Sequence, residues 1–126
     1  MPLLHGTVFE SRCVRCNVPF EDRGLYEETG KLPHCEKCGA AVRPHIVWFG
    51  EMPLDMDGIY GELEHATAML VIGTSGSVYP AAGFVSVARR RGVRTVYIGP
   101  EEPLNANAFD EILLGTSAEV LPREAS

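Results

Sequence analysis

Four cysteines in two matched pairs are the residues whose spacing most directly predicts chemistry. Cys13 and Cys16 form one C-x2-C pair, and Cys35 and Cys38 form a second pair after eighteen intervening residues. Two such pairs separated by about 15–20 residues are typical of zinc sites, because each pair presents two thiolates to one ion. Four thiolates fill a tetrahedral shell, so the pattern predicts a structural zinc site that leaves no position for water.

A glycine-rich turn is the second candidate for chemistry. In "LVIGTSGSVYP" the residues Gly73, Thr74 and Ser75 follow an apolar run and precede a helical pattern. Ligands of open α/β sheets bind at the carboxyl ends of strands, where backbone N–H groups can face a phosphate. The turn matches neither G-x-G-x-x-G nor a P-loop. From the turn alone, a nucleotide site and an ordinary strand-to-helix turn both stay open.

Alternating strands and helices must position these residues. Apolar runs predict a strand or extended segment at "HIVWFG" and strands at "AMLVIG", "RTVYIG" and "AEVLP". Helical spacing predicts helices at "DMDGIYGELEHA", "YPAAGFVSVARRRG" and "NAFDEILLG". The continuous run "AMLVI" is typical of a strand buried on both faces. The alternation favours parallel βαβ units in an α/β fold. Residues 5–45 have little periodicity, so we expect something other than a hydrophobic core to order them.

Composition limits the class of protein. The 126 residues fit one domain by the usual range of about 100–200 residues. A net charge of −6 argues against a general binder of nucleic acids or membranes, whose phosphates require a basic face. The longest apolar run is too short to span a bilayer, and we see no targeting segment. We therefore expect a soluble, cytoplasmic protein whose cysteines are metal ligands rather than disulfides.

Several motifs in a fixed order carry a family resemblance. They are "HG" before the first C-x2-C pair, "CG" at the second, "VRPHIVWFGEMP", "GTSGSVYPAAGF" and a tail of the form "LNANAF…LLG…LP". Together they resemble the sirtuins, the NAD-dependent protein deacylases, and "RPHIVWFGEMPLDMD" is most similar to bacterial class III members. The resemblance covers essentially the whole chain. It implies a partial Rossmann-like parallel sheet with an inserted four-cysteine zinc-ribbon module, divided into a catalytic-His and zinc segment (1–45) and an NAD-binding part (46–126).

The resemblance also implies roles for individual residues. His5 matches the general base of the family, a role that suits a neutral imidazole near pH 7. The four cysteines match the ligands of the structural zinc. NAD is the implied co-substrate, and the matching cofactor residues are Gly73, Thr74, Ser75, Glu101 and Ser117.

The implied second substrate is an acyl-lysine peptide or protein. In the resembled family it pairs as an extra strand between two segments, which gives affinity through main-chain hydrogen bonds. The matching residues are Val47, Phe49, Gly50, Glu51, Gly76, Ser77 and Val78. From the residues alone, Trp48 and Phe49 could equally be core aromatics.

Two departures from the family pattern bear on function. Gly99 stands where sirtuins usually have an Asn that contacts the adenine ribose, so we expect NAD binding to be weaker by about 1–2 kcal/mol. The Gly-Ala-Gly loop, the "QNID" motif and the Tyr and Arg that recognise acidic acyl groups have no match. We therefore expect half of the nucleotide site here, with an open sheet edge that takes a complementary half or a second copy.

Three interpretations follow. The chain is an NAD-dependent lysine deacylase or contributes His5 to one, it is a non-catalytic zinc-stapled module that binds peptides, or it is an inactive truncated sirtuin. The sequence sets neither the preferred acyl group nor the protein substrate.

Overall fold

The computed structural model describes residues 3–24, 30 and 32–124. Their contacts divide the chain into two compact units, Met1–Met56 and Asp57–Ser126. Each unit contains its own three-stranded sheet, antiparallel in the first and parallel in the second.

The first unit is built on strands β1 (Gly6–Cys13), β2 (Pro19–Glu21) and β3 (Val42–Ile46), in the order β2-β1-β3. Among the described residues of this unit only Ser11 and Cys13 are buried. The unit therefore depends on its backbone ladder and on the cysteines rather than on an apolar core. This agrees with the expectation that something other than a hydrophobic core orders residues 5–45.

The second unit alternates helices with parallel strands. Its elements are α1 (Met56–His65), β4 (Ala68–Ile72), α2 (Ala81–Arg90), β5 (Arg94–Gly99), a 3-10 turn (Ala106–Ala108), β6 (Glu111–Leu114) and α3 (Ser117–Glu124), with the sheet order β4-β5-β6. The core gathers around Val85, Tyr97 and Phe109, against which Met69, Val71 and Ile112 pack. The predicted α/β class with a parallel sheet is confirmed.

The end of the chain differs from the prediction of a helix at "NAFDEILLG" and a strand at "AEVLP", and both of these are wrong. Glu111–Leu114 forms β6 and pairs in parallel with Val96–Gly99 of β5. Burial of Phe109 and Ile112 in the core outweighs the local helix-capping signals. The "AEVLP" segment lies in α3, where the Glu119 side chain reaches back to the start of the helix. Its carboxylate accepts hydrogen bonds from the Thr116 amide (3.1 Å) and hydroxyl (2.8 Å), which is the carboxylate half of a capping box.

Strand β4 forms as predicted, but it is not buried on both faces. Leu70 and Ile72 are 52% and 44% exposed, and alternate residues are half-buried. Within the described sheet β4 pairs with β5 alone. The "HIVWFG" prediction is also partly wrong, because β3 ends at Ile46 and the chain turns at residues 48–51. No helix in the described part of the chain combines the length and apolar character needed to cross a membrane.

Candidate functional site

The two C-x2-C pairs converge at one point of the first unit. The Sγ atom of Cys38 lies 3.5 Å from the Sγ atoms of Cys13 and Cys16. All four cysteine Sγ atoms lie within 4.8 Å of one another. Tetrahedral zinc with Zn–S bonds near 2.3 Å separates its sulfur ligands by about 3.8 Å. The donor set and its spacing therefore fit a structural zinc ion, and the four cysteines could hold it.

Local backbone geometry prepares the sulfurs for a cation. The amides of Cys16 and Arg15 donate to the Cys13 sulfur at 3.3 and 3.4 Å, and these bonds lower the pKa of the Cys13 thiol to about 6. The hydrogen bond from Cys16 to Cys38 and the nearby Cys13 sulfur raise the pKa of Cys16 to about 12. Four close sulfurs cannot all ionise without a compensating charge, which a divalent cation supplies.

His5 lies in an exposed turn just before β1. Its carbonyl oxygen accepts a hydrogen bond from the Val47 amide (2.9 Å), and the carbonyl of Leu4 accepts one from the Leu54 amide (2.9 Å). Gly6 follows with φ of 75°, and a Cβ there would collide with the carbonyl oxygen of His45. These contacts fix the backbone of His5 beside the first residue of the predicted peptide-binding segment.

The segment Val47–Glu51 contains a tight turn. The Glu51 amide donates to the Trp48 carbonyl (3.0 Å), and Gly50 adopts φ of 86°. Phe49 is fully exposed at the tip, so the alternative interpretation of Phe49 as a core aromatic is excluded. Trp48 is also exposed, with its ring over the Arg43 guanidinium at 3.8 Å.

Glu51 closes this turn through an ion-pair network that sequence reasoning missed. Its carboxylate accepts hydrogen bonds from Arg43 Nη1 (2.5 Å) and Nη2 (3.1 Å) and from the Trp48 amide (3.0 Å), with Arg12 Nη2 at 3.8 Å. The Arg43 hydrogen bonds, followed by the Trp48 amide, hold the pKa of Glu51 at about 2. The available signal was the pair of opposite charges that flanks "PHIVWFG".

The glycine-rich turn of the second unit is anchored on several sides. The Gly73 amide donates to the Ile98 carbonyl (3.0 Å), and the Ser75 carbonyl accepts from the Leu104 amide (2.9 Å). Gly76 has φ of 70° and is buried so closely that a Cβ would collide with the Asn105 side chain. Residues 73–75 are exposed, so this stretch lies where a ligand could reach it.

The remaining predicted residues follow the same edge of the parallel sheet. Gly73 begins the turn after β4, Glu101 comes two residues after β5, and Ser117 comes three residues after β6. The carboxyl ends of these three adjacent parallel strands meet at one edge. The structure therefore brings the five predicted cofactor residues to one side of the second unit. Ser77 and Val78 are exposed in the loop before α2.

Two further residues at this edge escaped sequence reasoning. The Tyr97 hydroxyl donates to the Thr74 carbonyl (2.9 Å), and Asn105 Nδ2 donates to the Ala82 carbonyl (3.1 Å). Tyr97 stands inside an apolar strand pattern and gave no polar signal. Asn105 belonged to the quoted "LNANAF" motif but had no stated role.

Comparisons with known proteins define the family. The model described as Sir2 family matches residues 1–80. A curated relative from Caulobacter vibrioides, named NAD-dependent protein deacylase, is 45% identical over 119 residues, which are 94% of this chain and 50% of that protein. The chain belongs to the Sir2 family. It spans about half the length of the curated relatives that it matches.

Solved structures agree with this assignment. A Sir2 homolog in complex with NAD is 37% identical, with a TM-score of 0.84 over 95% of this chain and 47% of that one. A structure named Sir2-p53 peptide-NAD+ is 30% identical, with a TM-score of 0.81 over 95% of this chain and 52% of that one. The fold is therefore shared with Sir2 proteins that were crystallised with NAD and with a peptide.

Proposed function

We propose that this chain carries the catalytic histidine, the zinc module and a peptide-binding segment of an NAD-dependent protein-lysine deacylase. The observation that carries the proposal is the hydrogen bond from the Val47 amide to the His5 carbonyl. It makes the general base and the substrate segment parts of one folded unit. Relatives at 45% and 44% identity that are named NAD-dependent protein deacylases support the same activity.

The peptide side of the proposal rests on the shape of the Val47–Glu51 segment. The Arg43–Glu51 pair fixes the turn and leaves Phe49 exposed to meet a substrate side chain. An extended acyl-lysine peptide gains affinity there mainly from main-chain hydrogen bonds, which tolerate many sequences. The resemblance assigns Gly76, Ser77 and Val78 of the second unit to the same peptide.

The cofactor side rests on the strand ends of the second unit, which we assign to the C-terminal part of a Rossmann-like domain. Backbone N–H groups of Thr74 and Ser75 would face phosphate oxygens, while Gly73, whose amide donates to the Ile98 carbonyl, would form the turn that presents them, with Glu101 and Ser117 after the neighbouring strands. When bound, NAD would supply the ribose carbon that the acyl oxygen attacks as nicotinamide leaves, and the ribose hydroxyl that finally receives the acyl group. His5 would accept a proton from a ribose hydroxyl, which suits an exposed imidazole near neutral pH.

The zinc ion would be structural, because four thiolates leave no open coordination position. A site of four thiolates requires cysteines that are kept reduced, so we place the protein in the cytoplasm. We further propose that the exposed β4 residues Leu70 and Ile72 take a complementary half of the nucleotide-binding domain. Sedimentation that shows a self-associated dimer instead would assign this edge to a second copy.

Deacylation assays test the proposed activity. The purified, zinc-loaded chain is incubated with NAD+ and an acetyl-lysine or succinyl-lysine peptide, alone and with the part of the Caulobacter vibrioides relative that it does not match. We expect NAD-dependent deacylation that His5→Ala abolishes and that the matched variant His65→Ala, at the end of α1, retains. Peptide binding without His5-dependent turnover in either mixture would instead support a non-catalytic peptide module.

A further inference from the structure

Tyr97 connects the core of the second unit to the glycine-rich turn. The residue is 3% exposed, and its ring lies 5.4 Å from that of Phe109 at a tilt of 59°. Its hydroxyl passes out of this apolar cluster and donates to the Thr74 carbonyl at 2.9 Å. A phenylalanine would provide the ring packing equally well, so packing alone does not explain the hydroxyl.

A buried hydroxyl is unfavourable unless it is paired, and the partner of this one is the turn itself. The turn has two tethers to β5, the Tyr97 hydroxyl at Thr74 and the Gly73 amide at the Ile98 carbonyl. The Tyr97 hydroxyl contacts the middle of the exposed Gly73–Ser75 stretch. Tyr97 therefore holds the backbone whose N–H groups form the candidate phosphate site.

Gly99 provides the space that this arrangement needs. A Cβ at position 99 would collide with the Tyr97 hydroxyl and would lie 2.6 Å from Cζ and 2.9 Å from Cε1 of the same ring. Gly99 lies in β5 and has no left-handed φ, so its backbone conformation suits any residue. The three atoms that such a Cβ would lie nearest to all belong to the phenol of Tyr97.

We propose that Tyr97 is a positioning residue for the Gly73–Ser75 turn and that Gly99 is retained to admit its phenol. The two residues act as a pair: any side chain at 99 displaces the hydroxyl from Thr74. The link to cofactor binding rests on the NAD role proposed above, whereas the positioning of the turn does not.

Amide hydrogen exchange measures the positioning directly. Tyr97→Phe should increase the exchange rates of the Gly73 and Gly76 amides about fivefold, the factor that corresponds to the loss of one ordinary hydrogen bond. Tyr60→Phe is the control, because it removes a hydroxyl from a half-buried ring that packs against Phe84 in the same unit. Unchanged rates in Tyr97→Phe, or the same increase in both variants, would overturn the proposal.

A double-mutant comparison tests the pairing with Gly99. Gly99→Ala should lower the urea midpoint of unfolding in the native background and leave it unchanged in a Tyr97→Val background, where the ring is gone. Gly61→Ala in α1 is the control glycine, since nothing lies within 4 Å of a Cβ at that position. An equal loss from Gly99→Ala in both backgrounds would show that Tyr97 is not the reason for the glycine.

Calorimetric titration with ADP-ribose adds the ligand readout. Tyr97→Phe should raise the dissociation constant about fivefold, while Tyr60→Phe leaves it unchanged. If the unmodified protein fails to bind ADP-ribose, the proposed NAD role fails, and the exchange experiment still decides the positioning role. If binding occurs and Tyr97→Phe leaves the constant unchanged, the positioning has no effect on the ligand and the link is refuted.

Discussion

Removing the metal from the four cysteines should unfold the part of the first unit that surrounds them and leave the parallel sheet of the second unit folded. The second unit buries eight large apolar side chains, Leu63, Phe84, Val85, Val93, Val96, Tyr97, Ile98 and Phe109. Each burial of this kind is worth about 1.5–3 kcal/mol. The described residues of the first unit bury no comparable side chain, only Ser11 and Cys13.

The magnitude of the metal contribution decides the outcome. Structural zinc contributes about 10–16 kcal/mol of apparent binding free energy in small domains at neutral pH. Strands β1 and β2 share three residue pairs. Neither this short ladder nor the packing around the four cysteines provides a stabilisation of that size in the described residues. Chelation should therefore be enough to disorder the segment around the cysteines.

Amide NMR spectra recorded before and after chelation measure this effect. We expect the amide signals of Val14, Cys16 and Gly39 to collapse to random-coil positions, while those of Val85 and Ile98 stay dispersed. Cys35→Ala should reproduce the collapse without chelator. His34→Ala, which alters the exposed neighbour of Cys35, should keep one bound zinc. Dispersed signals of Val14, Cys16 and Gly39 in the metal-free protein would refute the reasoning.

Three further outcomes are expected. Ile98→Ala, at a site that is 1% exposed, should lower the free energy of unfolding of the second unit by about 2–5 kcal/mol in urea titrations. The control Leu104→Ala, at a site that is 81% exposed, should change that free energy by less than about 0.5 kcal/mol. Equal effects of the two substitutions would contradict the described core. The Glu51 carboxyl should titrate near pH 2 in carbon-detected NMR, because Arg43 holds its pKa below the ordinary value. The contribution of the Arg43–Glu51 ion pair to stability is complete above the unfolded pKa of about 4.3 and is lost as the pH falls through about 2. A titration midpoint at about pH 4 would contradict the ion pair. Glu119→Ala should remove the carboxylate that accepts a hydrogen bond from the Thr116 amide at the start of α3 and lower the free energy of unfolding by about 1 kcal/mol in urea titrations. An unchanged urea midpoint would contradict this contact.

Spacing and local chemistry predicted the parts of this fold that depend on nearby residues. The two C-x2-C pairs converge as the zinc pattern requires, because each pair is a local turn. The glycine-rich turn lies after β4 as expected, since the apolar run and the glycines together specify a strand end. Helices α1 and α2 follow from helical spacing and from Pro80 and Gly92 beside α2.

Features that depend on distant partners could not be predicted. Strands β1 and β2 of the first unit are largely exposed or half-buried and lack period-two alternation, so they gave no hydrophobic signal. Strand β6 depends on pairing with β5, which a local helix-capping pattern concealed. The bond from Tyr97 to Thr74 joins residues 23 positions apart, and no sequence rule marks it.

The Arg43–Glu51 pair illustrates a different limit. Resemblance assigned Glu51 to the peptide, but its carboxylate is occupied by Arg43 and by the Trp48 amide. The Glu51 carboxylate therefore has a structural role in the turn, apart from any contact with a peptide. Sequence similarity aligns a residue with a functional position of the family, but only the structure shows which contacts its side chain and its backbone make.

Product stoichiometry tests the proposed deacylase function most directly. Mass spectrometry of the reaction of the zinc-loaded protein with NAD+ and an acyl-lysine peptide counts deacylated peptide, nicotinamide and O-acyl-ADP-ribose. The account predicts the three products in equal amounts, with all three lost in His5→Ala. Deacylated peptide formed without nicotinamide, or equal turnover by His5→Ala, would contradict it.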